Sequence, residues 1–152
     1  MALPTLPAEG GCRCGDLRFR VTRAPLFTTA CHCRGCQRMT GGAFSLTAAI
    51  PDEGFEVIAG EDVPGGADPA FGHRFCPRCL SWVWTKHPMM DGFRNVRSPM
   101  FDDPSWTRPY VETWMVEKLP FAESGAVRPF AGFPSMEEYG ELLAGYAEWA
   151  RT

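Results

Sequence analysis

The sequence has no long apolar run and no block of basic residues. No stretch approaches the roughly 18 consecutive apolar residues that cross a membrane, and the first eleven residues carry neither a basic start nor an apolar export segment. We therefore expect a cytoplasmic protein that is neither exported nor inserted into a membrane. Fifteen basic and eighteen acidic side chains leave a formal charge of −3, which argues against a nucleic-acid partner.

Internal repeats and long low-complexity tracts are also absent. A chain of 152 residues fits one domain with a substantial core. We expect residues 1–152 to form that single domain, with a core over about residues 10–120. The 16 glycines and 14 prolines predict many turns between short strands.

Short alternating segments predict a mainly β fold. Leu17, Phe19 and Val21 alternate with polar residues, which is the period of a half-buried strand. Residues 44–50 alternate in the same way. Further candidate strands, rich in Val, Phe and Trp, are residues 55–58, 71–75, 81–85, 93–98 and 111–117.

Two helices are predicted. Ser135 and Glu138 fit a capping box at the start of a C-terminal helix over about residues 135–151. A shorter helix is expected to begin after Cys33 and to end at Thr40-Gly41-Gly42, where glycine supplies a left-handed cap. The apolar stripe of the C-terminal helix, expected to face the core, comprises Met136, Tyr139, Leu142, Leu143, Tyr146 and Trp149.

Seven cysteines carry the main chemical signal of the sequence. An odd number of cysteines in a reducing compartment cannot all form disulfides, and their spacing is typical of metal ligands. The cysteines form a first pair, a triplet and a last pair: Cys12 and Cys14; Cys31, Cys33 and Cys36; Cys76 and Cys79.

The favoured partition of these sulfurs places two zinc ions. The first and last pairs supply the four sulfurs of a tetrahedral structural site, each about 2.3 Å from the metal. Strand geometry would turn Cys12 and Cys14 to one face. The triplet then supplies three ligands to a second zinc with one open position, which is the pattern of a zinc that does chemistry. A rival partition remains open, with Cys33, Cys36 and the last pair on one ion, as does a single four-sulfur site with three idle cysteines.

The cysteines lie in motifs that resemble a known family. The motifs are GGCRCGDLRF from Gly10, CHCRGCQRMTGGAF from Cys31, RFCPRC from Arg74 and DDP from Asp102. In this order, over about residues 10–120, they resemble the glutathione-dependent formaldehyde-activating enzyme (GFA) family, whose domain is shared with centromere protein V.

The resemblance implies a β-tent fold of small antiparallel sheets. It also implies a structural Zn²⁺ on Cys12, Cys14, Cys76 and Cys79, and a catalytic Zn²⁺ on Cys31, Cys33 and Cys36. The implied activity is that of a carbon–sulfur lyase, which joins a small thiol such as glutathione to a small aldehyde such as formaldehyde. The alternative function is a non-catalytic zinc-binding module for a thiol or a protein partner.

Other residues bear on the substrate. Arg38, close to the triplet, can pair with a carboxylate of a peptide-like thiol, and Thr40 is a second candidate for substrate binding. His32 is expected to point away from a metal on its neighbours, and His73 is expected at the surface or in a turn. Leu80 stands where the family usually has glycine, a departure that concerns the substrate rather than the metal sites.

Overall fold

The computed structural model describes residues 3–152 and confirms a mainly β fold with two helices. The helices are α1 (Arg34–Thr40) and α2 (Met136–Trp149). The strands are β1 (Ala8–Gly11), β2 (Arg18–Val21), β3 (Phe27–Cys31), β4 (Ser45–Pro51), β5 (Phe55–Ala59), β6 (Val63–Pro64), β7 (His73–Phe75), β8 (Trp82–Thr85), β9 (Phe93–Arg97), β10 (Val111–Thr113) and β11 (Arg128–Pro129).

The strands form two sheets of unequal size. One has three antiparallel strands in the order β1-β2-β5, and the other has eight in the order β11-β10-β3-β4-β9-β8-β7-β6. Our expectation of small antiparallel sheets is confirmed for the first sheet. The second is larger and mixed, because β10 pairs in parallel with both β3 and β11, and parallel pairing becomes possible once long connections separate the strands.

The main core lies between the two sheets and is organised around Phe19. Its ring is fully buried, stacks on Phe55 at 5.6 Å and meets Phe101 edge-on at 5.2 Å. Each large side chain buried in this way contributes roughly 1.5–3 kcal/mol to stability. Gly10 backs onto this cluster so closely that an added Cβ would lie 2.2 Å from the carbonyl oxygen of Met100. Only glycine fits there without displacing the core.

Several strands differ from those that the alternating pattern predicted. Strands β1, β3, β6 and β11 were not predicted, because they are short or contain glycine, threonine and proline in place of an apolar alternation. The strand expected over 111–117 ends at Thr113, since Trp114 adopts a left-handed φ of 58° and a 3-10 turn follows. The strand expected over 71–75 begins at His73, because a 3-10 turn occupies Pro69–Phe71.

Helix α2 confirms the predicted capping box. The Ser135 Oγ accepts from the Glu138 N–H at 3.3 Å, and the Glu138 carboxylate accepts from the Ser135 N–H at 2.7 Å. Leu142 and Tyr146 are buried against β10, but Met136 and Leu143 are exposed. The predicted stripe is therefore wrong at these two residues, which lie off the core-facing side. Within residues 3–152, no helix combines the length and the apolar character needed to cross a bilayer.

Candidate functional site

Two turns bring four cysteine sulfurs together at one corner of the molecule. Cys12 and Cys14 lie in the turn between β1 and β2, where the Gly15 N–H donates to the Cys12 carbonyl at 3.1 Å. Our expectation that a strand aligns this pair is therefore wrong, since the turn does so. The second turn joins β7 to β8 and carries Cys76 and Cys79. We call Cys12, Cys14, Cys76 and Cys79 the four-cysteine cluster.

The spacing of the four-cysteine cluster fits a tetrahedral metal ion. The Sγ atoms of Cys12 and Cys14 are 3.5 Å apart, and those of Cys14 and Cys76 are 3.7 Å apart. A tetrahedron with metal–sulfur bonds of about 2.3 Å has edges of about 3.8 Å, whereas a disulfide would need about 2.05 Å. All four ligand atoms lie within 4.8 Å of one another. The cluster also joins the three-stranded sheet to the eight-stranded sheet.

The triplet forms a separate sulfur cluster at the junction of β3 and α1. Cys31 ends β3, Cys33 is the N-cap of α1 and Cys36 lies in its first turn. The three sulfurs lie within 4.8 Å of one another. The Cys33 Sγ also accepts from the backbone N–H of Cys36 at 3.2 Å, so the same sulfur that faces the cluster caps the helix. The structure thus groups all seven sulfurs as the favoured partition does.

Two buried hydroxyls flank the triplet. In the sheet, Ser45 on β4 and Thr113 on β10 lie opposite Cys31, one on each side. The Ser45 hydroxyl acts to lower the pKa of Cys36, and that of Thr113 acts to lower the pKa of Cys31. Neither hydroxyl makes a hydrogen bond within the described residues. Both can therefore donate to thiolates.

The three sulfurs compete for protons because they lie so close together. Hydrogen bonds from Cys33 and Cys36 lower the pKa of Cys31 to about 2. Hydrogen bonds with Cys31 and Cys33, followed by burial, raise the pKa of Cys36 above its ordinary value. The protein alone thus favours one thiolate at the triplet. Three thiolates require a cation, and a bound metal ion supplies one.

Arg97 is the permanent positive charge that faces the triplet. Its side chain is buried, its guanidinium lies 3.6 Å from the ring centroid of Trp82, and one Nη donates to the Thr85 hydroxyl at 2.8 Å. Its Nε has no partner, and it makes no ion pair with a carboxylate within the described residues. Burial lowers the pKa of Arg97 to about 10, and the neighbouring cysteine thiolates oppose that shift. This role was not predicted from the sequence, where Arg97 is one residue of a predicted strand.

A cavity of about 370 Å³ opens beside the triplet. Three of its lining residues connect it to the triplet: Arg97, Ser45, and Thr40, whose Oγ1 donates to the Cys36 carbonyl at 2.8 Å. On another side it reaches the four-cysteine cluster through Ser81, whose Oγ is 3.2 Å from the Cys79 sulfur. The remaining lining residues are Met39, Phe44, Leu46, Leu80, Trp82, Pro99 and Met100.

The two predicted substrate-binding residues have different positions. Thr40 lines the cavity and also accepts from the Gly42 N–H at 3.1 Å. Arg38 lies on the exposed face of the last turn of α1 and is not a lining residue of the cavity. Arg97, and not Arg38, is the arginine in the cavity wall.

The histidines lie outside both sulfur clusters. His32 is fully buried and points to Glu112, with its Nε2 3.0 Å from a carboxylate oxygen that also accepts from Ser124 at 2.6 Å. It therefore holds β3 to β10 and faces away from the sulfurs, as expected. His73 is not a surface residue, because it is half-buried on β7 with its Nδ1 2.8 Å from the Thr85 hydroxyl. Burial, followed by the charge of Arg97, lowers the pKa of His73 to about 4.

Comparison with known proteins relates the part of the chain that carries both sulfur clusters to a protein family. A family model described as glutathione-dependent formaldehyde-activating enzyme matches residues 7–117, which include all seven cysteines. A provisionally named glutathione-dependent formaldehyde-activating enzyme of Halomonas elongata is 32% identical over 89 residues. That match covers 53% of this chain and 56% of the relative, so the chain spans little more than half of the relative's length. A crystal structure of a Rhodobacter sphaeroides protein aligns with a TM-score of 0.48 and 19% identity, over 62% of this chain and 87% of that one.

Proposed function

The chain belongs to the glutathione-dependent formaldehyde-activating enzyme family, and from this premise we propose that it is a zinc-dependent carbon–sulfur lyase. It would join a small thiol, such as glutathione, reversibly to a small aldehyde. The observation that carries the proposal is the triplet, where three sulfurs converge beside a cavity with no fourth protein ligand among the described residues. A structural zinc needs four ligands, so three beside a cavity suit an exchangeable fourth.

Cys31, Cys33 and Cys36 would hold the catalytic zinc, and the four-cysteine cluster the structural one. The chemistry that zinc would supply there is to lower the pKa of a substrate thiol, whose proton would pass to water. Attack of the thiolate on the aldehyde carbon would form the C–S bond as the carbonyl π bond opens onto oxygen, which would take that proton back from water. Cleavage is the same step reversed.

The protein's own residues balance the charge of this arrangement. Three thiolates and a divalent zinc carry a net charge of −1, and a fourth thiolate makes it −2. Arg97 supplies a fixed positive charge in the cavity wall, and the unpartnered Ser45 and Thr113 hydroxyls can donate to thiolates of the triplet. Trp82 and Phe44 contribute aromatic rings to the wall of the same cavity. The charge is therefore stabilised in a site of low polarity, where each interaction is strong.

Thr40 and Arg38 are the proposed contacts for the rest of the thiol substrate. Thr40 lies in the cavity wall and can hydrogen-bond to a bound adduct. Arg38 lies outside that wall on exposed α1, where it can pair with a carboxylate of a peptide-like thiol that projects from the cavity.

The test compares wild type with Cys33→Ser. Serine is a good N-cap and keeps the hydrogen bond to the Cys36 N–H while it removes one sulfur ligand. We expect two zinc ions in the wild type and one in the variant. By NMR exchange spectroscopy, we expect the wild type alone to accelerate the formation of S-hydroxymethylglutathione from glutathione and formaldehyde, and both proteins to remain folded.

Cys12→Ser is the matched control, because it removes a sulfur from the four-cysteine cluster and should mainly lower thermal stability. Equal zinc content and equal activity in wild type and Cys33→Ser would refute the assignment of the triplet. One tightly held zinc in the wild type, together with no acceleration for any thiol and aldehyde, would indicate the non-catalytic zinc module.

A further inference from the structure

Leu80 has a backbone conformation that a leucine rarely adopts. Its φ is 59°, in the left-handed region, where a side chain with a Cβ is strained by roughly 1–2 kcal/mol. Leu80 directly follows Cys79, and its N–H donates to the Cys76 carbonyl at 2.9 Å to close the turn. The turn therefore fixes this conformation, and glycine would adopt it without strain.

The fold gains little from the Leu80 side chain. It is 70% exposed, so it contributes little buried apolar area to the core. A strained backbone that carries an exposed, bulky apolar side chain is unfavourable for folding alone. Strain of this kind is concentrated at binding and catalytic sites, where the surrounding structure maintains it.

The side chain of Leu80 forms part of the wall of the cavity beside the triplet. Around it the wall is mostly apolar, and Trp82, two positions further along the chain, is largely buried. The polar lining groups are confined to the hydroxyls of Thr40, Ser45 and Ser81 and to Arg97. Thr40, Ser45 and Arg97 are the ones that touch or face the triplet, so the cavity has a polar end there, and the remaining wall is apolar apart from Ser81.

We propose that this cavity selects adducts of aldehydes with an apolar carbon chain, and that Leu80 is a specificity-determining residue for that chain. The inference rests on the proposed lyase function and names its substrate class. The sulfur and the oxygen of the adduct lie at the polar end, and the carbon chain lies against Leu80, Leu46 and Met100. The bond changes are those of the lyase reaction, with no oxidant or reductant.

The test uses propanal and hexanal with glutathione, because these aldehydes have similar carbonyl reactivity and differ by three methylenes. With the zinc-loaded protein, kcat/KM for adduct formation is measured by NMR exchange. We expect the wild type to prefer hexanal by about tenfold, since each buried methylene favours binding. In Leu80→Gly, the hexanal to propanal ratio should fall at least threefold.

Stability separates a specificity role from a structural one. Glycine removes the left-handed strain, so Tm of Leu80→Gly should stay level or rise by up to about 4 °C. Leu80→Met keeps both the apolar contact and the strain, and it should retain the selectivity and Tm of the wild type. Leu80→Asn tolerates the left-handed region but is polar, and it should lose the selectivity as the glycine variant does.

The outcomes distinguish the inference from the function on which it rests. If no aldehyde reacts faster in the presence of the wild-type protein, the lyase function is refuted and the inference with it. If catalysis occurs but the wild-type ratio is near one, or if Leu80→Gly and Leu80→Asn keep the wild-type ratio, the inference alone is refuted. A fall in Tm of more than about 4 °C in Leu80→Gly would also refute it, because Leu80 would then be required by the fold.

Discussion

Replacement of Arg97 by methionine should weaken zinc binding at the triplet without unfolding the protein. Methionine fills much of the same volume but removes the charge that faces the three sulfurs. At an effective dielectric constant of about 20, two unit charges 4 Å apart interact by about 4 kcal/mol, and the energy falls inversely with distance. Groups that support metal ligands in this way typically change metal affinity by about 10–100-fold. We expect a loss in that range.

The metal-free protein should respond differently. Without metal, Arg97 is a buried cation with no carboxylate partner, and its desolvation costs several kcal/mol. Its stacking on Trp82 stabilises the folded state by about 2 kcal/mol, and its hydrogen bond to Thr85 stabilises it by roughly a further 1.5–3 kcal/mol. These contributions nearly cancel, so the free energy of unfolding of metal-free Arg97→Met should lie within about 1 kcal/mol of wild type.

The assay is a competition titration with a chromophoric zinc chelator, analysed for the more weakly held zinc. Arg94→Met is the matched control, because Arg94 lies on the same strand and stacks on Phe55 at 4.3 Å but pairs with Asp52. Arg97→Lys should recover part of the affinity, since it restores the charge. Equal zinc affinity in Arg97→Met and wild type would show that the guanidinium does not act on the triplet.

Two further predictions concern pH and packing. His73 should titrate near pH 4 in a proton NMR experiment, whereas its pKa in the unfolded chain is 6.5. The unfolded chain therefore binds more protons than the folded protein between pH 6.5 and 4. As the pH falls through that range, the protein should lose about 1–2 kcal/mol of stability, a figure that allows for the partial exposure of the ring. In His73→Gln the pH dependence of unfolding over this range should flatten, and a folded-state pKa above 6 would contradict the reasoning. Gly10→Ala should cost more than about 2 kcal/mol in urea denaturation, since its Cβ would lie 2.2 Å from the Met100 carbonyl oxygen and 2.5 Å from the Phe19 ring; an unchanged midpoint would contradict it.

The sequence was most informative where a local pattern determines structure. The capping box of α2, the left-handed Gly41 and the alternation around Phe19 all follow from neighbours in the chain, and the structure has them. The spacing of the cysteines also predicted how the seven sulfurs divide into a group of four and a group of three. It misjudged how Cys12 and Cys14 converge, because a turn with Gly15 at a φ of 83° does what we assigned to a strand.

The parts that could not be predicted depend on contacts between distant segments. Ser45 and Thr113 reach the triplet only because β4 and β10 flank β3, and no local pattern reports that order. Arg97 looks like one more basic residue on a strand until the sheet turns it toward Trp82 and the sulfurs. The sequence marked Leu80 as unusual, but only its φ and its place in the cavity wall give that departure a physical meaning.

The corner where the two sheets meet has a consequence for assembly. Cys14 and Cys76 are 62 positions apart in the sequence. An ion bound by both would close a loop of the chain that contains β2 to β7 and the whole of the triplet. Closure of so long a segment is entropically costly, so the pocket would acquire its final shape only after remote parts of the chain had met around metal. A newly made chain that is short of zinc would then form its sheet junction and its substrate pocket late, and both together.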